Sequence, residues 1–313
     1  MAYVRRGCGD YEGKGMDGPM KISVITPVYE GNMYMPAYLR MIGRAVRNFG
    51  ESVEVILVND SPWEPIVIPY VDDFQSMIKE GMVTLRILKN RVNCGIQRSR
   101  IHGILASTGD YILMLDQDDA ISDNSLRSLA GSIGDYDMCL GNGWFEMETK
   151  KEPIYGNRYS QLFAATRFAY EWIRDFIVSP GQCLIRKSSI PKDWIKRPMK
   201  YNGADDYYLW LLMFGTGCRI TCCYEKVYTH KYTGNNLSLN DEKMFLSERE
   251  MLYRLSECET YPVDTLKFVK RRIFYKKIDR TKKMLFVKAS IKNLDIFTVN
   301  VMYRLIWRGA LVK

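Results

Sequence analysis

Three carboxylates occupy four consecutive positions at Asp116-Gln-Asp-Asp119, directly after the apolar run 110–115. Like charges this close repel one another, and crowding them is costly unless a cation sits among them. Hard oxygen donors of this kind select Mg²⁺ or Mn²⁺ over zinc. The plain alternative is an acidic loop that caps the next helix, with Asp123 as its N-cap. A second acidic pair, Asp205-Asp206, opens the apolar stretch 204–214. Carboxylates there stabilise a helix N-terminus. One of them within reach of a hydroxyl also serves as a general base, a role worth roughly 10²–10⁴-fold. Asp60, in Val58-Asn-Asp-Ser61, ends another apolar run. It is either a turn residue or an acceptor for a nucleobase or ribose. Arg100 offers a planar fork of donors suited to phosphate, and a surface salt bridge is the plain alternative. Gly95, in Asn93-Cys-Gly95, permits a tight turn. His230, one of only two histidines, either completes a metal shell with the aspartates or is structural.

Other chemistries are excluded or weakened by what is missing. The sequence has no GxSxG elbow and no Walker A loop, which disfavours serine hydrolases and P-loop NTPases. Gly7-Cys-Gly9 lacks a preceding strand and a correctly placed third glycine, so it is not read as a dinucleotide fingerprint. The eight cysteines are irregularly spaced and form no CxxC pair, which predicts free thiols in a reducing cytoplasm. Cys218, Cys222 and Cys223 fall in an apolar pattern that predicts a strand rather than a zinc site. No apolar signal-peptide core is visible, and no uncharged stretch approaches the ~20 residues of a spanning helix.

The elements that must position these residues follow from periodicity. Runs 21–28, 53–59, 82–88 and 110–115 are apolar and rich in β-branched residues, and predict strands. Helical patterns fill the gaps at 35–49, 72–79 and 97–106. Strands that alternate with helices imply a parallel sheet covered on both faces. Ligands bind such sheets beyond the carboxyl ends of the strands, where residues 27–30, Asp60 and 116–119 all lie. Farther on, strands are expected at 136–140, 144–147, 182–186 and 218–224, a turn at Gly234, and helices at 204–214 and 241–259. With 47% apolar and 26% charged residues in 313, the chain is neither disordered nor collagen-like.

The formal charge of +9 is concentrated at one end. Residues 262–313 hold fourteen basic and three acidic side chains, so the rest of the chain is slightly acidic. Leu266, Val269, Ile273 and Ile278 are near helical spacing, with Lys267, Lys270, Arg271, Arg272, Lys276 and Lys277 between them. This predicts an amphipathic helix for an anionic membrane surface. Plain packing with a solvated basic face is the alternative, and no nucleic-acid motif accompanies the charge.

Taken in order, Ser23-Val-Ile-Thr-Pro27-Val-Tyr29, Val58-Asn-Asp-Ser61, Asn93-Cys-Gly95 with Arg100, Leu115-Asp-Gln-Asp-Asp119 and Asp205-Asp206-Tyr-Tyr resemble glycosyltransferase family 2. The resemblance covers about residues 20–240. It implies a GT-A fold: an α/β, Rossmann-like, mainly parallel sheet flanked by helices, here with a helical basic C-terminal extension. The expected division is a flexible tail at 1–18, a catalytic domain at 19–240 and the extension at 241–313. The catalytic domain divides into a nucleotide-binding half, 19–120, and an acceptor half, 121–240.

The resemblance also implies roles. Pro27, Tyr29 and Glu30 would line the nucleotide pocket, Asp60 would bind the base, and Gly95 and Arg100 would lie near the donor. Asp116 and Asp118 form the DxD motif, binding ribose and, through Mn²⁺ or Mg²⁺, the diphosphate. Asp118, Asp119 and His230 are the expected metal ligands. Asp206 matches the catalytic base of an acidic pair whose first member here is Asp205. At an ordinary pKa of ~3.9 it is ionised at neutral pH without a shift. The implied reaction is inverting, metal-dependent transfer from a nucleotide-sugar, with UDP the expected nucleotide. The acceptor would be a lipid-linked or cell-surface glycan, at the cytoplasmic face of a membrane. A sugar-nucleotide nucleotidyltransferase and an inactive binding module are the alternatives. The chain departs from the family pattern at Asn59, Ile101, Lys231 and Thr233, with His230 or Lys231 placed to compensate.

Overall fold

The computed structural model of the chain describes residues 20–232, 241–278 and 282–305. The tail at 1–18, Thr233 and the turn at Gly234 lie outside them. In chain order the elements begin β1 (Ile22–Val28), α1 (Met35–Phe49), β2 (Val53–Asn59), α2 (Asp72–Lys79), β3 (Val83–Lys89), α3 (Ile96–Ala106) and β4 (Tyr111–Met114). This matches the expected alternation to within a residue or two at each end. The four strands are parallel, in the order β3-β2-β1-β4. β1 and β2 are buried along their whole length, as strands covered on both faces must be. Successive side chains face opposite ways. Val24, Val55 and Leu57 join Leu39 and Ile42 of α1 in one core. Ile25, Ile56 and Val58 join Ile101 and Ile104 of α3 in the other.

The chain continues through β5 (Ala120–Ile121), α4 (Ser125–Ile133), β6 (Met138–Met147), β7 (Lys150–Pro153), α5 (Arg158–Ala164), β8 (Cys183–Arg186), α6 (Lys192–Lys196), α7 (Asp205–Gly215) and β9 (Ile220–Lys231). The strands expected at 136–140 and 144–147 are one strand, β6. Its pairing with the parallel β9 shifts register at Gly141, Asn142 and Gly143. A bulge absorbs the residues that read as a break. β9 also runs seven residues past its expected end. β8 is antiparallel to both β4 and β6, so the full order is β3-β2-β1-β4-β8-β6-β9-β5, with β7 on β6. The helix after the tetrad is capped at Asn124, not Asp123, which instead pairs with Arg44 at 2.9 Å.

α7 is apolar on every side, and Tyr207 through Phe214 are all buried. A helix of that composition belongs in a core. Over it lie α8 (Asp241–Ser256) and α9 (Val263–Lys276), followed by α10 (Lys283–Lys292) and α11 (Leu294–Tyr303). Met251, Leu255, Val269 and Ile273 share one core with Trp210. The expected amphipathic helix is α9, but Arg272, counted among its basic residues, is buried. No helix among the described residues is long and apolar enough to cross a membrane. The seven described cysteines are free thiols.

Candidate active site

β1, β2 and β4 end side by side, and the acidic end of α7 is brought to the same edge. Arg100, on α3, is the link. It is only 1% exposed. Its Nη2 donates to Asp116 Oδ1 at 2.7 Å, and its Nη1 donates to Asp205 Oδ2 at 3.1 Å and to Asp206 Oδ1 at 2.5 Å. Three carboxylates from two distant segments therefore share one guanidinium. Ser179 donates to the other oxygen of Asp116 at 3.3 Å. Trp194 Nε1 donates to the Asp205 carbonyl at 2.9 Å and fixes the start of α7.

One guanidinium cannot neutralise three carboxylates. Burial pushes the Asp206 pKa well above the usual range. Arg100 opposes that, and Asp205, Asp116 and Asp175 add to it. This corrects the expectation of an unshifted aspartate. Arg100 is itself held charged, since the three carboxylates outweigh the burial that opposes its charge.

The other carboxylates of the tetrad divide. Asp119 is buried, and its oxygens are taken by Tyr228 Oη, by His230 Nδ1 at 3.0 Å and by the Lys231 amide at 3.2 Å. Burial disfavours a charged His230, but Asp119, Asp116 and Asp118 outweigh it and raise its pKa. Asp119 and His230, two of the expected metal ligands, thus lie within hydrogen-bond reach of each other. Among the described residues no group of three or more His, Cys, Asp or Glu side chains is gathered around a metal position. Asp118 makes no ion pair among the described residues. Burial, with the charges of Asp119 and Asp116, raises it to about 6.

Asp60 ties down the loop that carries Gly95. Its Oδ1 accepts from Asn90 Nδ2 at 2.8 Å and the Cys94 amide at 2.9 Å, and its Oδ2 accepts from the Gly95 amide at 2.9 Å. Gly95 has φ +87°, and a Cβ there would lie 2.8 Å from Asn202 Oδ1. The expected turn is therefore real, and it is also a close approach. Beyond buried Pro27, Tyr29 is exposed and sets its ring edge-on to Trp63, centroids 5.9 Å apart. Glu30 adopts φ +46°, a left-handed conformation uncommon for a glutamate, held by its amide bond to Ser61 Oγ at 2.7 Å. The Gln117 side-chain amide closes a two-bond ring with the Tyr29 backbone, both bonds 3.0 Å, and so joins the β1 loop to the tetrad.

Sequence reasoning missed Gln117, Trp63, Ser61, Ser179 and Tyr228. Gln117 lay inside the tetrad and Ser61 beside Asp60, so their neighbours were the available signal. Ser179-Pro-Gly181 is a turn signature at a strand start, a usable cue. Tyr228 carried none, because its partner Asp119 is distant in sequence.

Comparison with known proteins bears on this arrangement. The sequence model of glycosyl transferase family 2 matches residues 23–194. A glycosyltransferase of Streptococcus pneumoniae serotype 4, GlyG, is 26% identical over 123 residues, 39% of this chain and 38% of that protein. An uncharacterized glycosyltransferase of Haemophilus influenzae is 30% identical over 98 residues, 31% of this chain and 29% of that protein. The chain thus spans less than two fifths of the length of these relatives. Among solved structures, residues 1–349 of S. aureus TarS, in complex with UDP-GlcNAc, are similar with a TM-score of 0.54 at 15% identity, covering 86% of this chain and 79% of that one. The mannosyltransferase PcManGT of Pyrobaculum calidifontis, in complex with GDP-Man and Mn²⁺, has a TM-score of 0.52 at 11% identity, covering 95% and 84%. These two likenesses establish the fold, a GT-A sheet flanked by helices. The family match runs from the first parallel strand past the acidic tetrad over more than half the residues, and on that extent the chain belongs to glycosyl transferase family 2.

Proposed function

We propose that the chain transfers a sugar from a nucleoside-diphosphate sugar to a hydroxyl of a lipid-linked or cell-surface glycan, with inversion at the anomeric carbon. The observation that carries this reading is the convergence of Asp116 and Asp206 on Arg100, which sets a donor-end carboxylate beside a half-buried carboxylate base. Pro27, Tyr29, Glu30, Asp60 and Gly95 form the donor's nucleotide side, with Trp63 as an added aromatic face. UDP is the expected nucleotide. GDP is the other arm of the test, because the similar solved proteins hold UDP-GlcNAc in one case and GDP-Man in the other.

A divalent cation fits the residues. Asp118 offers hard oxygens, has no ion-pair partner among the described residues and is raised to about 6 by burial together with the charges of Asp119 and Asp116. That suits Mg²⁺ or Mn²⁺, which Asp118 would hold with Asp119 and His230 close by. Such an ion would supply positive charge to balance that of a leaving diphosphate. Asp206 accepts the proton of the acceptor hydroxyl as that oxygen attacks the anomeric carbon from the face opposite the diphosphate. Arg100 holds Asp206 and Asp116 in register. Residues 19–120 then serve the donor and 121–240 the acceptor. Residues 262–313 make the peripheral contact with the inner face of an anionic membrane. Exposed Leu285, Ile291 and Met302 beside Lys283, Lys288 and Lys292 support that contact.

The test is a nucleotide titration followed by a transfer assay. UDP or GDP with Mn²⁺ should raise the melting temperature, since a ligand at 100 times its Kd adds about 2.7 kcal/mol. Asp118→Asn should lose the Mn²⁺-dependent part. Asp206→Asn should keep nucleotide binding and lose transfer by roughly 10²-fold or more. Wild-type transfer by Asp206→Asn would remove the base assignment.

A further inference from the structure

A cavity of about 320 Å³ lies between α9, α10, α11 and the helical turn Ala169–Ile173. Its cationic lining is Arg174, Arg272, Lys276 and Arg304, and no carboxylate lines it. Its apolar wall includes Ile173, Phe286, Ile296 and Val301. Arg272 is 3% exposed, yet its partners are neutral: the Ile173 carbonyl at 2.7 Å and the Tyr207 hydroxyl. Its Nε has no hydrogen-bond partner among the described residues. Among the described residues none of the four cations makes an ion pair within 4 Å. Asp175 and Glu248 are the carboxylates near enough to be felt. Asp175 is raised to about 7 by burial against the pull of Arg174 and Arg272, and Glu248 acts on Lys276 from beyond ion-pair distance among the described residues. A guanidinium buried without a counter-charge is costly, and an anion from outside relieves that cost.

The cavity does not stand alone. Arg174 and Tyr303 also line a second cavity, of about 210 Å³, with Phe163, Phe176, Asp175 and Val178. Tyr303 stacks on Phe163 with ring centroids 5.8 Å apart, and its edge meets Phe176 at 5.6 Å. One residue past Val178, Ser179 reaches Asp116 of the site. Asp175 is close enough to act on the titration of Asp206. The segment 173–179 thus borders both cavities and ends at Ser179, which bonds Asp116 beside Asp206.

We propose that the first cavity seats the phosphate of a lipid-linked acceptor, a diphosphate ester whose sugar lies along the aromatic second cavity toward Asp206. The inference rests on the glycosyl-transfer reading. Phosphate suits the chemistry because guanidinium forks bind its oxygens in pairs. A lipid ester suits it because the same wall is apolar, and α10 and α11, which form it, expose Met284, Leu285 and Leu294.

Isothermal titration of the full chain with farnesyl diphosphate, inorganic pyrophosphate and farnesol tests this. Arg174→Gln/Lys276→Gln alters exposed positions only and keeps the test independent of folding; Arg272→Gln is the buried companion. Farnesyl diphosphate should bind wild type at least tenfold more tightly than the double variant, and at least tenfold more tightly than pyrophosphate does. Farnesol should not bind, and UDP affinity should be the same in both proteins. Equal farnesyl diphosphate affinity in wild type and double variant overturns the proposal. Pyrophosphate binding as tight and as variant-sensitive as the ester also overturns it, in favour of a free-phosphate site. A variant that loses only its attachment to phosphatidylglycerol vesicles assigns the cations to the membrane surface and overturns it too. The donor reading fails separately, if neither UDP nor GDP binds wild type.

Discussion

Removing the guanidinium of Arg100 would leave Asp116, Asp205 and Asp206 facing one another in a largely buried space. Breaking a buried ion pair from one side typically costs about 3–5 kcal/mol, because the remaining charge is stranded. Arg100→Gln should therefore lower stability by about that much in urea unfolding. Arg100→Lys should recover only part, since a point charge cannot reach three carboxylates in a fork. A Gln variant as stable as wild type would mean that the aspartates are already protonated. How legible was this cluster? Each carboxylate was, because a charge directly after an apolar run stands out. The partner of Arg100 was not. Phosphate binding and carboxylate pairing ask for the same side chain, and only the fold brings residues 100 and 206 together. The Asp119–His230 contact was hidden in the same way, across 111 positions.

At the scale of elements, the parallel half was readable because β-branched runs alternate with helical periods. The later half was not, for a local reason: Gly141 and Gly143 look like a break, whereas a Cβ at Gly143 would come within 2.4 Å of the Tyr228 carbonyl oxygen of the neighbouring strand. α10 and α11 also escaped notice, because their apolar residues are largely exposed and keep no clean stripe. Helix α3, which carries Arg100, lies tight on β1. A Cβ at Gly103 would stand 2.4 Å from Ile25 Cγ2. Gly103→Ala should thus destabilise by about 1–3 kcal/mol through overpacking, despite the better helix propensity of alanine. Gly131 of α4 has open space around its missing Cβ, so Gly131→Ala should stabilise by roughly 0.5–1 kcal/mol. Melting temperatures of the two variants should move in opposite directions.

For the whole molecule, the C-terminal helices are not an appendage to the catalytic sheet. Val269 and Ile273 sit in the core that holds α7, and Arg272 bonds the turn at Ala169–Ile173. The charge asymmetry of the sequence was legible, but not its partial internalisation. Buried carboxylates should shape global stability against pH. Asp175 has its folded pKa raised to about 7 from an ordinary ~3.9. The folded state therefore binds its proton more tightly than the unfolded chain does. This favours folding below about pH 4 and is lost as pH rises through about 7. Wild type should lose stability relative to Asp175→Asn over that interval, read from urea midpoints at pH 4.5 and 8. A constant difference would show that Asp175 titrates normally.

Arg100 also bears on kinetics. The carboxylates it gathers are already in register in the folded chain, so a donor bound as proposed would not have to assemble them. The reorganisation energy that a looser site would meet at every turnover is met once, during folding. Rate differences among substrates should then arise at the cavity walls that α11 and the segment 173–179 provide, rather than at the charged centre.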